Sequence, residues 1–179
     1  MNNIIFLNIM RFFGLLLLQV LICNNINFMG YINPHVYLLF ILLYPTSNNR
    51  LTFIFSSFLL GLIIDVFLDS GGTHAAASVL IAYIRPLFLK FSFGAAYEYQ
   101  TIKFSNTDFS QRFIYFLFLI IIHHFILFSL VVFNKNEMLL IIKQTLYSSI
   151  FSLIICLLFN SLFSKKQTWE RFYFLVLSF

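Results

Sequence analysis

Charge is what this sequence has least of. Six acidic and eleven basic side chains make up 9% of its 179 residues, where about a quarter is usual in a soluble domain. That leaves too little polar surface to coat a water-soluble globule. Cysteine is also scarce: Cys23 and Cys156 fit neither a metal-ligand spacing nor a disulfide framework, and both read as buried thiols in apolar runs. With so few acids there are no paired intramembrane carboxylates, and neither a Gly-rich phosphate loop nor a Ser, His and Asp pattern occurs. An enzymatic role has no support, and no cofactor is implied. The formal charge of +5 comes from Lys and Arg scattered at segment ends. That distribution argues against a nucleic-acid partner and for topology signals.

What is abundant is apolar: 61% hydrophobic residues, 26 Phe and a mean hydropathy of +0.94. The reading is an all-α integral membrane protein, one transmembrane domain over residues 1–179. A bundle of about six helices fits, because each crossing takes about 20 residues. The expected spans are Ile4 to Cys23, Ile26 to Tyr44, Leu51 to Leu68, Thr73 to Phe91, Arg112 to Phe133 and Met138 to Phe163. The first resembles a signal peptide, but no basic residue precedes Arg11 and Ile22 is not the small residue that a lipoprotein cleavage site wants before Cys23. It is read as a retained helix. After Ser164, Trp169, Phe172, Tyr173, Val176 and Phe179 recur at helical spacing beside Lys and Arg, the pattern of a helix lying in the membrane interface.

The second segment is irregular. Asn33-Pro34 interrupts it, which predicts a helix starting at Pro34 with Asn33 as its N-cap and ending at Pro45. Such a helix is about 18 Å long, so residues 26–33 either complete the crossing in broken form or lie at the surface before a short tilted helix. With both termini cytoplasmic, Arg50, Lys90, Lys103, Arg112, Lys165, Lys166 and Arg171 all fall inside, against Lys135 outside.

Ionisable residues inside apolar runs are the functional candidates, because they are costly in hydrocarbon unless they face protein or enclosed water. His74, Ser78, Ala82 and Arg85 form one stripe of the fourth span, with Ala75, Ala76 and Ala77 permitting close helix approach. Pro86 should kink the helix and frees the carbonyl of Ala82, a partner for the guanidinium if Arg85 points into the bundle; the alternative is that Arg85 snorkels along the kinked helix toward the cytoplasm. Gly61 and Asp65 share a face of the third span, where a neighbour comes close. Depth counting places Asp65 roughly 20 Å and Arg85 roughly 10 Å from the cytoplasmic side, which disfavours direct pairing and puts His74 nearer the acid. His123 and His124 diverge by about 100° on a helix and lack an accompanying Glu, so they read as satisfied core histidines, not metal ligands. Thr145, Ser149, Ser152, Cys156 and Asn160 make a polar packing seam on the sixth span.

Taken together, Asn33-Pro34 before a Leu- and Phe-rich helix ending at Pro45, Gly61-Leu-Ile-Ile-Asp65, Gly72-Thr-His-Ala-Ala-Ala77, Arg85-Pro86 and His123-His124 resemble the MreD family of rod-shape-determining proteins, in its Bacteroidetes-like form. The resemblance covers Asn33 to Phe133, and the ends match in hydropathy alone. It implies a non-enzymatic subunit of the cell-elongation complex in the bacterial inner membrane, supporting peptidoglycan synthesis and cell shape. Its implied partners are the scaffold MreC and, through it, MreB, RodA and a class B penicillin-binding protein, within the lipid bilayer; a homodimer stays open. The implied fold is similar to the substrate-binding subunits of energy-coupling-factor transporters. Structural or interaction candidates are Asn33, Pro34, Gly61, Asp65, Gly72, His74, Arg85 and Pro86. The alternative is a small-molecule, vitamin-type binding subunit of a transporter, with Asn33, Asp65 and His74 lining an outward pocket.

Overall fold

Long apolar runs separated by short polar turns fold as helices, since only intra-segment hydrogen bonding satisfies a backbone that has no water around it. A computed structural model of the chain describes residues 2–28, 32–46, 49–94, 104 and 107–177, with side chains placed for 6–28, 32–46, 49–94, 104, 107–134 and 136–161. Six α-helices lie among these residues: α1 Asn2–Leu21, α2 Leu38–Leu43, α3 Arg50–Leu68, α4 Thr73–Phe93, α5 Phe109–Val132 and α6 Met138–Leu177. All except α2 are long and apolar enough to cross a membrane. No strand occurs among the described residues; Phe28 and Ile32 form an isolated antiparallel bridge.

Consecutive long helices pack in series, α3 on α4, α4 on α5 and α5 on α6, while α1 lies against α2 and α3. The short α2 touches α1, α4 and α5, and Val36 to Leu42 are each at most 3% exposed. A helix apolar on every side is enclosed by protein or by lipid, and the burial of this one puts it in the middle of the bundle. It also carries the chain back past α1. Gln19 contacts Pro34, Val36 and Tyr37 near one end, and Phe12 meets Phe40 nearer the other. One groove is lined by Asn8 and Phe12 of α1, Tyr44 after α2, and Asn49 and Thr52 at the start of α3. The segment around α2 therefore runs antiparallel to α1 and α3, with only six residues in its α-helix.

The expected start of this helix is corrected. It begins at Leu38, four residues after Pro34, and Asn33 does not cap it; Asn33 accepts the Asn27 N–H and donates to the Asn27 side chain. Residues 35–40 first make tighter three-residue turns, with the Leu38, Leu39 and Phe40 N–H groups donating to the His35, Val36 and Tyr37 carbonyls. Smaller differences concern the ends. α1 stops at Leu21 and α5 starts at Phe109, while α4 continues unbroken through Pro86 to Phe93. The backbone of α6 passes Phe163 without interruption to Leu177; the side chains of the interfacial tail expected there lie outside the described residues, as does most of the connection before α5.

The polarity of the bundle is inverted. Outward faces carry Leu51, Val66, Phe67, Leu87 and Phe91, each more than 60% exposed, whereas Gln19, Asp65, His74, Arg85, His123, His124 and Ser152 are all buried. Water would reward the opposite arrangement.

Candidate functional site

Two polar clusters sit at the two ends of α2. At the first, the turn between α3 and α4 needs left-handed backbone at Asp69 (φ 52°), Gly71 (φ 66°) and Gly72 (φ 90°), which glycine adopts without steric cost. Gly72 occupies the N-cap of α4 and has no side chain with which to cap it. Asp65, one turn before the end of α3, does that work from outside. Its Oδ1 accepts the His74 N–H at 3.0 Å and its Oδ2 the Ala75 N–H at 2.8 Å. Anionic oxygens are favourable at a helix start for the same reason that Asp is a good N-cap. The carboxylate also accepts from the Ser70 hydroxyl and, at 2.9 Å, from His74 Nδ1.

This arrangement depends on two helices touching backbone to backbone. A Cβ at Gly61 would fall 2.6 Å from the Ala75 Cα and the His74 carbonyl, so any side chain there would push α4 off Asp65. The shared face of Gly61 and Asp65 is thus the contact with α4.

Behind the Asp65 turn lie all four histidines of the chain, each buried. His35 is the hub. Its ring stacks on His74 at 5.7 Å, stands edge-on to His124 at 4.8 Å and lies 6.1 Å from His123. His124 Nδ1 faces the Ile120 carbonyl at 2.8 Å, which can only accept, so this nitrogen carries the proton. His124 Nε2 is then the acceptor for His35 Nδ1 at 3.1 Å and the Ser152 hydroxyl at 3.2 Å. The Ser152 oxygen in turn accepts the His35 backbone N–H at 2.9 Å. His123 Nε2 pairs with the Tyr37 hydroxyl at 2.8 Å, while His123 Nδ1, Ser78 Oγ and Thr73 Oγ1 are buried without a hydrogen-bond partner. Gln19 completes this end of α2: its Oε1 accepts the Val36 and Tyr37 N–H groups, and its amide donates to the Pro34 carbonyl. Orphan donors at a helix start must find acceptors when no water reaches them. Here they find a side chain from α1.

Adjacent histidines on one helix diverge, yet His123 and His124 both reach the cluster because His35 projects between them. Among the described residues, no group of three or more His, Cys, Asp or Glu is arranged to hold a metal ion.

At the other end of α2 lies Arg85, 3% exposed. Its expected partner, the Ala82 carbonyl, is not the one it uses. The guanidinium donates to the carbonyls of Leu42 at 3.1 Å and Tyr44 at 2.6 Å and to the Tyr115 hydroxyl at 2.7 Å, and it lies 5.1 Å from the Phe53 ring centroid. These carbonyls end α2, where the helix presents its partial negative charge. Tyr115 also donates to the Leu42 carbonyl. The carbonyl set outcompetes Ala82 because several acceptors converge on one planar fork of donors. Asp65 and Arg85 do not meet: Asp65 binds the backbone of His74 and Ala75, ten or more positions before Arg85 on the same helix, about 15 Å along it.

Sequence reading missed His35, Tyr37, Gln19 and Tyr115. The signal for His35 was present in Asn33-Pro34-His35, an ionisable residue at a backbone break inside an apolar segment. The three residues expected to line an outward small-molecule pocket have other duties, Asp65 and His74 at the start of α4 and Asn33 with Asn27. Two lateral grooves, of about 460 Å³ between α1, α2 and α3 and about 630 Å³ between α3 and α4, include none of them.

A scan against protein-family models finds no match, and searches of curated proteins and of solved structures find none either.

Proposed function

We propose that the chain is a non-enzymatic, multi-pass subunit of the bacterial inner membrane that acts by binding other membrane proteins in the cell-elongation complex. The reading takes its partners from the resemblance of residues 33–133 to the MreD family: a single-span scaffold of the MreC type and, through it, MreB, RodA and a class B penicillin-binding protein. It also takes from that resemblance a six-crossing bundle similar to energy-coupling-factor substrate-binding subunits, while cytoplasmic termini follow from the basic residues at segment ends. One structural observation carries the physical side. The α3–α4 seam is floored by Gly72, Ala75, Ala76 and Val79 and walled by Ile54, Phe58, Leu62, Leu80 and Tyr83. Small residues on a lipid-facing helix let another helix approach closely, and such packing drives association where no hydrophobic gain exists between helices.

The test is co-purification of the protein with a membrane scaffold encoded beside it, comparing the native chain with Ala76→Leu. Ala76 is exposed and touches the groove, so the substitution fills the seam without disturbing the core. Loss of the scaffold together with rounding of the cells is the expected result. Full recovery of the scaffold and normal rods would rule the seam out. Reporter fusions at Asp69 and Lys135 are expected to read extracytoplasmic, and one at Ser105 cytoplasmic.

A further inference from the structure

The groove of about 460 Å³ between α1, α2 and α3 is amphiphilic along its length. α1 and α3 run the same way, so Asn8, Asn49 and Thr52 stand at the end where the two helices begin, and Phe12, Phe13 and Phe40 wall the rest. The Asn8 amide nitrogen is buried without a hydrogen-bond partner. A donor shielded from water is costly until an acceptor reaches it. We propose that this groove binds one anionic phospholipid from the leaflet at the starts of α1 and α3, with its phosphate and ester oxygens at Asn8, Asn49 and Thr52 and one acyl chain along the phenylalanines.

The chemistry of the two ends selects this occupant. What the polar end has to offer is donors. Asn49 commits its side-chain oxygen to the Leu51 N–H, which leaves its amide nitrogen to donate elsewhere, and Thr52 adds a hydroxyl. Deeper in, the Ser56 hydroxyl donates to the Thr52 carbonyl, so the apolar half adds no free donor. The phosphate and esters of a phospholipid carry acceptors alone and lead into hydrocarbon, which matches that order. A transmembrane helix matches it poorly, because its main-chain carbonyls are already paired within the helix.

Charge points the same way. Arg11 lies three residues after Asn8, Arg50 directly follows Asn49, and no acidic residue precedes Asp65 at the far end of α3. The start of α3 adds the partial positive charge of a helix N-terminus. An anion is therefore favoured at this end of the groove over a neutral or zwitterionic headgroup. Seated there, the lipid bridges α1 to α3 where their own side chains leave a gap, with Ile9 and Phe13 of α1 about half exposed beside it.

The experiment is native mass spectrometry of the full-length protein ejected from nanodiscs made of equal parts phosphatidylglycerol and phosphatidylcholine. One phospholipid retained per chain is expected, with phosphatidylglycerol preferred about five-fold or more. Asn8→Leu removes the orphan donor and fills the polar end with an apolar side chain, and retention is expected to fall about ten-fold. Thr52→Val keeps the shape but removes one hydroxyl, for a fall of about three-fold. Ala76→Leu, in the groove between α3 and α4, is expected to leave the lipid in place whether or not it loses a protein partner, so the two sites are tested separately. No lipid retained by the native chain, equal retention of the two lipids, native-like retention by Asn8→Leu, or an equal loss in Ala76→Leu would each overturn the proposal and leave annular lipid only. If Asn8→Leu does not fold, the headgroup preference of the native chain and the response of Thr52→Val decide.

Discussion

At the C-terminal end of α2, the carbonyls of Leu42 and Tyr44 are met by a fixed cation, Arg85. At its N-terminal end, the N–H groups of His35, Val36 and Tyr37 are met by the neutral side chains of Ser152 and Gln19, with four imidazoles packed behind them. Both ends satisfy the same need, a short helix whose terminal backbone groups cannot reach water. They differ in charge. A guanidinium keeps its charge at any pH a cell meets, so one end is held by a fixed cation. The other is held by neutral acceptors from α1 and α6.

The comparison breaks first at Arg85. Arg85→Leu removes a donor from the Leu42 and Tyr44 carbonyls and from the Tyr115 hydroxyl, with Leu42 keeping its bond from Tyr115, at about 1 to 3 kcal/mol for each group left short of a partner. A loss of about 3 to 5 kcal/mol is expected, with Arg85→Lys recovering only part because it lacks the fork. Thermal unfolding in detergent checks this, and the loss should be equal at neutral and mildly acidic pH. A pH-dependent loss would mean that this end is not held by a fixed charge. Next comes Gln19→Leu, which strips the acceptor from the Val36 and Tyr37 N–H groups; about 2 to 4 kcal/mol is expected. Amide exchange should quicken at residues 36 and 37 while Arg85 stays put.

Asp65→Asn keeps one acceptor of the α4 cap but turns the other oxygen into an amide donor facing a donor, so about 1 to 3 kcal/mol is expected, read as early exchange at His74 and Ala75. If it costs as much as Arg85→Leu, the two ends are not as different as their chemistry suggests. The smallest change is Tyr115→Phe, at about 1 kcal/mol, because Arg85 still reaches the Leu42 and Tyr44 carbonyls.

The five long helices were legible in the sequence because hydropathy over about 20 residues is a local property. So was the separation of Asp65 from Arg85, which followed from counting rise along two helices. The centre of the bundle was not legible. A run as short as Val36 to Tyr44 gives no sign of being enclosed rather than peripheral, and the backbone partners of Val36 and of His35 before it, Gln19 and Ser152, are 17 and 117 residues away. Arg85 was assigned the carbonyl nearest in sequence, since main-chain acceptors at the end of a distant helix leave no mark in residue identity. His123 and His124 were judged from their own helix, where they diverge. What unites them is His35, and a third element cannot be inferred from the geometry of one.

The burial of α2 also has a meaning for biogenesis. A segment that touches protein on every side has nothing to offer a lateral gate that sorts nascent chains by their affinity for lipid. Its first flank is fixed when Gln19 arrives on α1, but its last, Ser152, is made after more than a hundred further residues. Until α6 leaves the ribosome, the His35 N–H has no acceptor and the core stands open on one side. In chain order, the contact from α6 is thus the last of those described to close around α2.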